Sequence, residues 1–259
     1  MAALGWKAVF WLFGVIGVLL GVLWFKFVPD NPKQSPYVNE AELEHINDGR
    51  ENTVEAKEIA PWGKLLKSSQ FWSLGLQFMI TDYIMYVFLA WLPLYLMEVH
   101  GFSLSKMGLW AAAPWLSLMA VVSCCGYLSD KAIAAGFSQN LVKTSTGAVG
   151  ILLCACTLFI ATRTADPMMN VFWLSVALGS LGLTMSASWS SVISMGGRFA
   201  GSVSGWMNFW GNIGGVLAPS VTAWVATTYG WQAALAVTAV SGIAGAVLWL
   251  FVKPDKAIV

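Results

Sequence analysis

Seven stretches of this chain are apolar over about twenty residues or more, and no other feature limits the fold as strongly. They fall at about 8–28, 71–97, 107–128, 141–161, 168–194, 200–227 and 231–252. A helix rising about 1.5 Å per residue crosses about 30 Å of hydrocarbon in roughly twenty residues. Inside hydrocarbon the backbone must satisfy its own hydrogen bonds, which favours helices. The expectation is an all-α membrane protein with seven transmembrane helices embedded in a lipid bilayer. Composition agrees, since 58% of residues are hydrophobic and 10% charged, against roughly a quarter charged in a soluble domain. A formal net charge of +1 gives no basis for a nucleic-acid partner.

The runs divide the chain into a first transmembrane helix at 1–28, a polar middle loop at 29–70, a six-helix bundle at 71–252 and a tail at 253–259. The loop carries Glu40, Glu42, Glu44, Glu51, Glu55 and Glu58 among lysines, with Pro32 and Pro36 near its start. Asn39 followed by Glu42 has capping-box spacing, so a short acidic helix is expected from Glu40 to about Arg50. Lysine and arginine set the orientation. Lys26, Lys33, Arg50, Lys57, Lys64, Lys67, Lys131, Lys143, Arg198, Lys253 and Lys256 fall on one side, and Lys7, Lys106 and Arg163 on the other. The excess of positive charge puts the long loop and the carboxyl terminus in the cytoplasm, and residue 1 outside. An odd number of spans with an exterior start points to part of a longer protein.

The sixth run, AGSVSGWMNFWGNIGGVLAP from Ala200 to Pro219, concentrates the polar and small residues. Gly201 and Gly205, and again Gly211 and Gly215, are four apart, spacing that lets a neighbouring membrane helix approach closely. Asn208 and Asn212 share a face by the same spacing. Amides in hydrocarbon need a partner helix or a wet cavity, so the pair reads either as helix glue or as a substrate-facing stripe. Asp82 is the one formal charge well inside a span, with Tyr86 a turn later on its face. It reads either as a carboxyl bonded to a neighbouring helix or as a cavity residue that exchanges a proton. Ser186, Ser190 and Ser194 form a further stripe beside Trp189, facing a cavity or bonding their own backbone. Pro114 and Pro219 sit inside spans, where each permits a kink, and Pro93 lies late in the second.

Cys124, Cys125, Cys154 and Cys156 lie in apolar runs and read as buried small residues rather than metal ligands. His45 and His100 fall at or beyond the membrane surface and read as solvated. HExxH, GxSxG, GxGxxG and Walker patterns are missing, so no catalytic residue, cofactor or metal is expected, and no enzyme.

The segment GYLSDKAIAAG, Gly126 to Gly136, resembles the signature loop of the major facilitator superfamily, with Gly126, Asp130 and Lys131 at the matching places. The likeness implies a cytoplasmic turn after the third span, with Asp130 and Lys131 acting on neighbouring helix ends as a breakable latch. GWKAVFWLFGVIGVLLGVLWFKFVPDNP, AELEHI, FLAWLPLYL with Tyr86, SASWSS and GWMNFWGNIGG resemble the anion:cation symporter branch, importers of sugar acids and carboxylates. The resemblance implies the last helix of an amino-terminal half followed by the six-helix carboxyl-terminal half of a twelve-helix transporter. It also implies proton-coupled uptake of a small organic anion across the cell membrane. The basic residue that grips the anion and the coupling carboxylates would lie mostly in the missing amino-terminal half. By resemblance, Trp189 and Asn208 contact substrate, with Ser186 and Ser188 alongside; Tyr86 and Asn212 complete the candidate set. The proton-linked role of Asp82 is read from the residue alone. An ionised carboxylate would repel a bound anion, so Asp82 is expected to be protonated whenever the anion is bound.

Three rivals compete. A retinal-binding photoreceptor needs a lysine in the last span, and 231–252 has none. A membrane-embedded enzyme needs Asp82 and the serines to meet as a catalytic pair. A truncated, non-transporting membrane scaffold needs nothing further.

Overall fold

In the computed structural model, which describes residues 5–47 and 59–258, every regular element among the described residues is a helix. The chain forms two units, Met1–Ile59 and Ala60–Val259. The first holds α1 (Gly5–Phe27), a 3-10 turn at Pro32–Gln34 and α2 (Glu40–Asn47). At 23 residues α1 is about 35 Å long, enough to cross hydrocarbon. The side chain of Asn31 accepts from the Lys33 N–H at 3.0 Å and starts the 3-10 turn. Asn39 Oδ1 accepts from the Glu42 N–H at 2.8 Å, the cap its spacing predicts for α2. Arg50, Glu51, Glu55, Lys57 and Glu58 lie outside the described residues, as does the side chain of His45.

The second unit begins with α3 (Trp62–Leu65) and continues as α4 (Ser69–Glu98), α5 (Leu104–Trp110), α6 (Ala112–Ala134), α7 (Gln139–Arg163), α8 (Pro167–Gly196), α9 (Ala200–Tyr229) and α10 (Trp231–Trp249). Only Ala111 parts α5 from α6, so together they make one crossing. Pro114 accounts for the break. It has no N–H for the Trp110 carbonyl and its ring crowds that carbonyl, so the helix yields one turn upstream. Pro93 and Pro219 produce no such break in α4 and α9. Six stretches among the described residues are long and apolar enough to cross a membrane. The longest, Pro167–Tyr229, has 63 residues, roughly three bilayer thicknesses of helix. It is two crossings, α8 and α9, parted by a 3-10 turn at Gly197–Phe199. Gly197 makes the break possible, because its φ of +47° is one that L side chains rarely adopt. Seven crossings result among the described residues.

Side-chain contacts define two ends of the second unit. At the first end Phe71 of α4 stacks on Trp206 of α9 at 4.7 Å, Thr144 of α7 donates to the Val252 carbonyl, and the Ile258 N–H reaches the Met195 carbonyl of α8. Lys131, Lys143, Arg198, Lys253 and Lys256 gather here, as their grouping in the sequence predicts. At the other end the Trp231 indole donates to Glu98 at 2.8 Å and Asn170 of α8 reaches Tyr95 of α4. Between the ends α8 packs against α6 and α7, while α4 packs against α9 and α10. Leu74, Ile84, Leu96, Ile151, Leu174, Leu178 and Trp249 are fully or almost fully buried, whereas Leu116, Met119, Val216 and Val240 point outward as a lipid-facing surface requires.

Three expectations need correction. The signature segment is not a turn: α6 runs straight through Gly126, Asp130 and Lys131 to Ala134. The chain reverses at Gly136 (φ +96°), whose N–H bonds the Ile133 carbonyl at 3.0 Å while the Phe137 N–H bonds Ala132 at 3.2 Å. This is a Schellman cap, and it takes the glycine at the end of the segment rather than the one at its start. Cys125 and Cys154 are buried as expected, but Cys124 and Cys156 are exposed on their helices. The glycine pairs divide as well. A Cβ at Gly201 or Gly205 would meet nothing within 4 Å. The close approach is made by Gly211, Gly214 and Gly215, and a Cβ at Gly214 would collide with the Met79 backbone of α4.

Gly214→Ala is therefore expected to destabilise the bundle by about 1–3 kcal/mol through overpacking against backbone, which cannot rotate away. Gly205→Leu should leave stability unchanged. Thermal unfolding of both variants in detergent checks the contrast.

Candidate functional site

The α4–α9 seam carries the polar residues that sequence reading singled out on α4. Asp82 is buried, with its carboxylate laid against Gly211, and no hydrogen bond or ion pair reaches it among the described residues. Tyr86, one turn on and half-buried, packs its ring on Gly215, where a Cβ would stand 3.0 Å from the ring carbons. Both side chains thus fill space that α9 leaves open by lacking side chains of its own. Phe78, one turn before Asp82, also borders Gly211 and meets the ring of Trp189 edge-on at 5.9 Å and 84°. Asp82, Tyr86 and Trp189 are in this way assembled around α4 with Phe78 between them. Trp189 itself stays 43% exposed, open to whatever lies beside α8.

The remaining candidates are distributed otherwise. Asn208 and Asn212 are exposed on α9, and Asn212 donates to the Asn208 main-chain carbonyl at 2.8 Å. Their amides do not meet Asp82. Ser186 is half-buried on α8. Ser188 is fully buried and faces no opening: its hydroxyl donates to the Thr184 carbonyl at 2.8 Å and accepts from Gln77 Nε2 of α4 at 3.1 Å. The stripe Ser186, Ser190, Ser194 does not form one cavity wall either. Ser190 and Ser194 bond their own helix, and both are engaged by Lys143.

Lys143 is committed to structure as well. It lies near the start of α7, and its ammonium donates to the Ser190 carbonyl at 3.0 Å and to Ser194 Oγ at 3.2 Å. The carboxyl end of α8 offers partial negative charge there, and Asp130 of α6 attracts the same ammonium. Lys131 lies over the ring of its own helix neighbour Tyr127 at 6.0 Å. Gln77, Thr81 and Thr184 are the residues that sequence reading missed. Gln77 joins Leu74, Ser188 and Thr81, and Thr184 Oγ1 crosses to the Gly147 carbonyl of α7 at 2.9 Å. The available signal was spacing: Gln77 and Thr81 are four apart on α4, as are Thr184 and Ser188 on α8.

The apolar crossings of the second unit, packed around a buried carboxylate with no partner among the described residues and an amide-bearing helix alongside, define a multi-pass membrane protein with a polar seam, the construction of a membrane transporter. The Major Facilitator Superfamily pattern matches residues 1–219, and the chain belongs to that family. It is 28% identical over 263 residues to the D-galactonate transporter of Escherichia coli O6:H1, covering 97% of this chain and 60% of that protein. It is 29% identical over 269 residues to the probable galactarate/D-glucarate transporter of Bacillus subtilis, covering 98% of this chain and 58% of that protein. With the chloroplastic ascorbate transporter of Arabidopsis thaliana it shares 27% identity over 253 residues, 97% of this chain and 47% of the relative. The chain spans about half the length of these relatives. Family and relatives alike are transporters, which sets the enzyme reading aside.

Because Gln77 and Ser188 bond across α4 and α8, Gln77→Leu and Ser188→Ala should not be additive. A double-mutant cycle on unfolding in mixed micelles is expected to give a coupling of about 0.6 kcal/mol, the usual worth of an interhelical bond in a membrane.

Proposed function

We propose that the chain is the carboxyl-terminal part of a secondary active transporter that takes up an organic anion, such as a sugar acid, together with a proton. Its missing partner is an amino-terminal half. The printed names of the relatives support the substrate class: D-galactonate in one and galactarate or D-glucarate in another. The basic end of the bundle, with the middle loop and the tail, lies in the cytoplasm of a cell whose plasma membrane holds the protein; the charge distribution supports this. Tyr86, Ser186, Trp189, Asn208 and Asn212 meet the anion across the boundary between halves, and Ser188 holds α8 from behind.

The observation that carries this reading is Asp82. A carboxylate buried in a membrane bundle with no partner is costly unless it serves a pathway. A glycine opposite it on α9 keeps room at its oxygens. An anion bound nearby opposes ionisation of Asp82, and by reciprocity protonation of Asp82 favours the anion. Anion affinity therefore falls as pH rises.

In the chain reassembled with an amino-terminal half, Asp82→Asn is expected to retain anion binding and to flatten that fall. Galactonate affinity measured from about pH 5.5 to 8, a range above the ordinary carboxyl titration, decides the point. An unchanged pH profile returns Asp82 to a packing role, and the absence of binding in the unmutated assembly overturns the transport reading itself.

A further inference from the structure

Trp189 stands between two residues of α8 that are tied to different helices. Ser188, just before it, accepts from Gln77 Nε2 of α4 at 3.1 Å. Ser190, just after it, accepts through its carbonyl from the Lys143 ammonium of α7 at 3.0 Å, and the same ammonium reaches Ser194 Oγ at 3.2 Å. Ser194 lies one turn beyond Ser190, so both contacts of the ammonium fall on one face of α8. Successive residues of an α-helix point about 100° apart. The two ties therefore flank the direction in which the indole projects, and together they oppose rotation of α8 in either sense.

The other bonds to α8 act elsewhere along it. Thr184 holds the helix to the Gly147 carbonyl of α7, but more than a turn before Trp189. After Trp189 the helix soon ends at Gly196, and its last turns are held by Lys143 and by the Ile258 N–H on the Met195 carbonyl. A lysine is a costly way to make that connection. Lys143 is buried and both of its acceptors are neutral, whereas a cation inside a membrane bundle is ordinarily retained for function. Its long stem lets an ammonium from α7 reach the face of α8 next to Trp189.

On the α4 side the indole meets Phe78 edge-on at 5.9 Å, and it is otherwise 43% exposed. A small roll of α8 therefore either presses the indole onto that ring or lifts it away. We propose that Lys143 is a positioning residue for anion binding: by bonding Ser190 and Ser194 it fixes the rotation of α8 that aims Trp189 at the anion, without touching the anion itself. The inference rests on the reading of Trp189 as a residue that meets the anion. It adds a residue from α7, a helix that supplies none of the contact set, and it follows the rule that a contact group is only as well placed as the side chains that lock it.

The first arm of the test uses the full chain alone, in lipid nanodiscs, with its fifteen tryptophans replaced by 5-fluorotryptophan. The fluorine signal that disappears in Trp189→Phe identifies Trp189. Lys143→Met is expected to shift or broaden that signal and to leave those of Trp110 and Trp231, at the other end of the bundle, in place. Ser194→Ala removes one acceptor and keeps the charge, and should move the Trp189 signal by less. The second arm measures galactonate affinity in the chain reassembled with an amino-terminal half. Lys143→Met is expected to weaken it about tenfold, and Lys143→Arg, which can donate to both acceptors, to restore most of the loss. A Trp189 signal that ignores Lys143→Met overturns the proposal, and if that variant fails to fold, a signal that ignores Ser194→Ala does so. A signal that moves while galactonate affinity stays unchanged overturns it equally. Absence of galactonate binding in the unmutated assembly overturns the transport reading, and this proposal with it, whatever the fluorine signal does.

Discussion

The contact on which the second unit depends is the approach of α9 to α4 at Gly214. Only a residue without a Cβ lets the α9 backbone come to rest on the Met79 carbonyl. The approach has consequences along the whole seam. One turn toward the lysine-rich end, Gly211 leaves room for the Asp82 carboxylate and the ring of Phe78. Directly after Gly214, Gly215 receives the ring of Tyr86. Further along, Trp206 and Trp210 fold over Gly75 of α4, and the Trp206 indole donates to the Phe71 carbonyl at 3.0 Å. In lipid there is no hydrophobic force pressing helices together, so contact of this density is itself the source of stability. The arrangement of the candidate residues follows from that packing: the glycines that close the seam also make the room that Asp82 and Tyr86 fill.

A second set of interactions fixes how α8 is rotated. Gln77 holds it from the α4 side at Ser188, Thr184 holds it to α7 at Gly147, and Lys143 holds its last turns at Ser190 and Ser194. With three sides of α8 engaged in bonds or packing, Trp189 is left to project beside Phe78. Each of these buried polar groups has a partner, as a low-dielectric interior demands. Asp82 does not. That contrast, rather than the mere presence of a charge in a span, separates Asp82 from the polar residues that hold α8 in place.

Much of the fold was legible in the sequence. Run length against bilayer thickness gave the number of crossings, and Asn39 with Glu42 gave the start of α2, because these depend on local geometry and on the solvent alone. The glycines of α9 were legible as a class, since small residues at fourfold spacing signal close approach in any membrane helix. Family membership was legible too, through the segments that resemble the superfamily, whose pattern matches residues 1–219.

Tertiary structure decided which of those glycines touch anything, and the reason is rotational. Gly201 and Gly205 have the same spacing as Gly211 and Gly215, but α9 meets α4 along the later stretch and leaves the earlier pair open. It also decided the fate of the serines and of Lys143, because a side chain's partner across a bundle depends on the azimuth of two helices, which no single helix encodes. The break at Ala111 rather than at Pro114, and the reversal at Gly136 rather than at Gly126, turn on where a missing N–H or a left-handed residue is absorbed. His100 shows the principle most plainly: from sequence it is a solvated histidine near a membrane surface, and only the folded chain half-buries it, with its Nε2 3.3 Å from the Tyr95 hydroxyl.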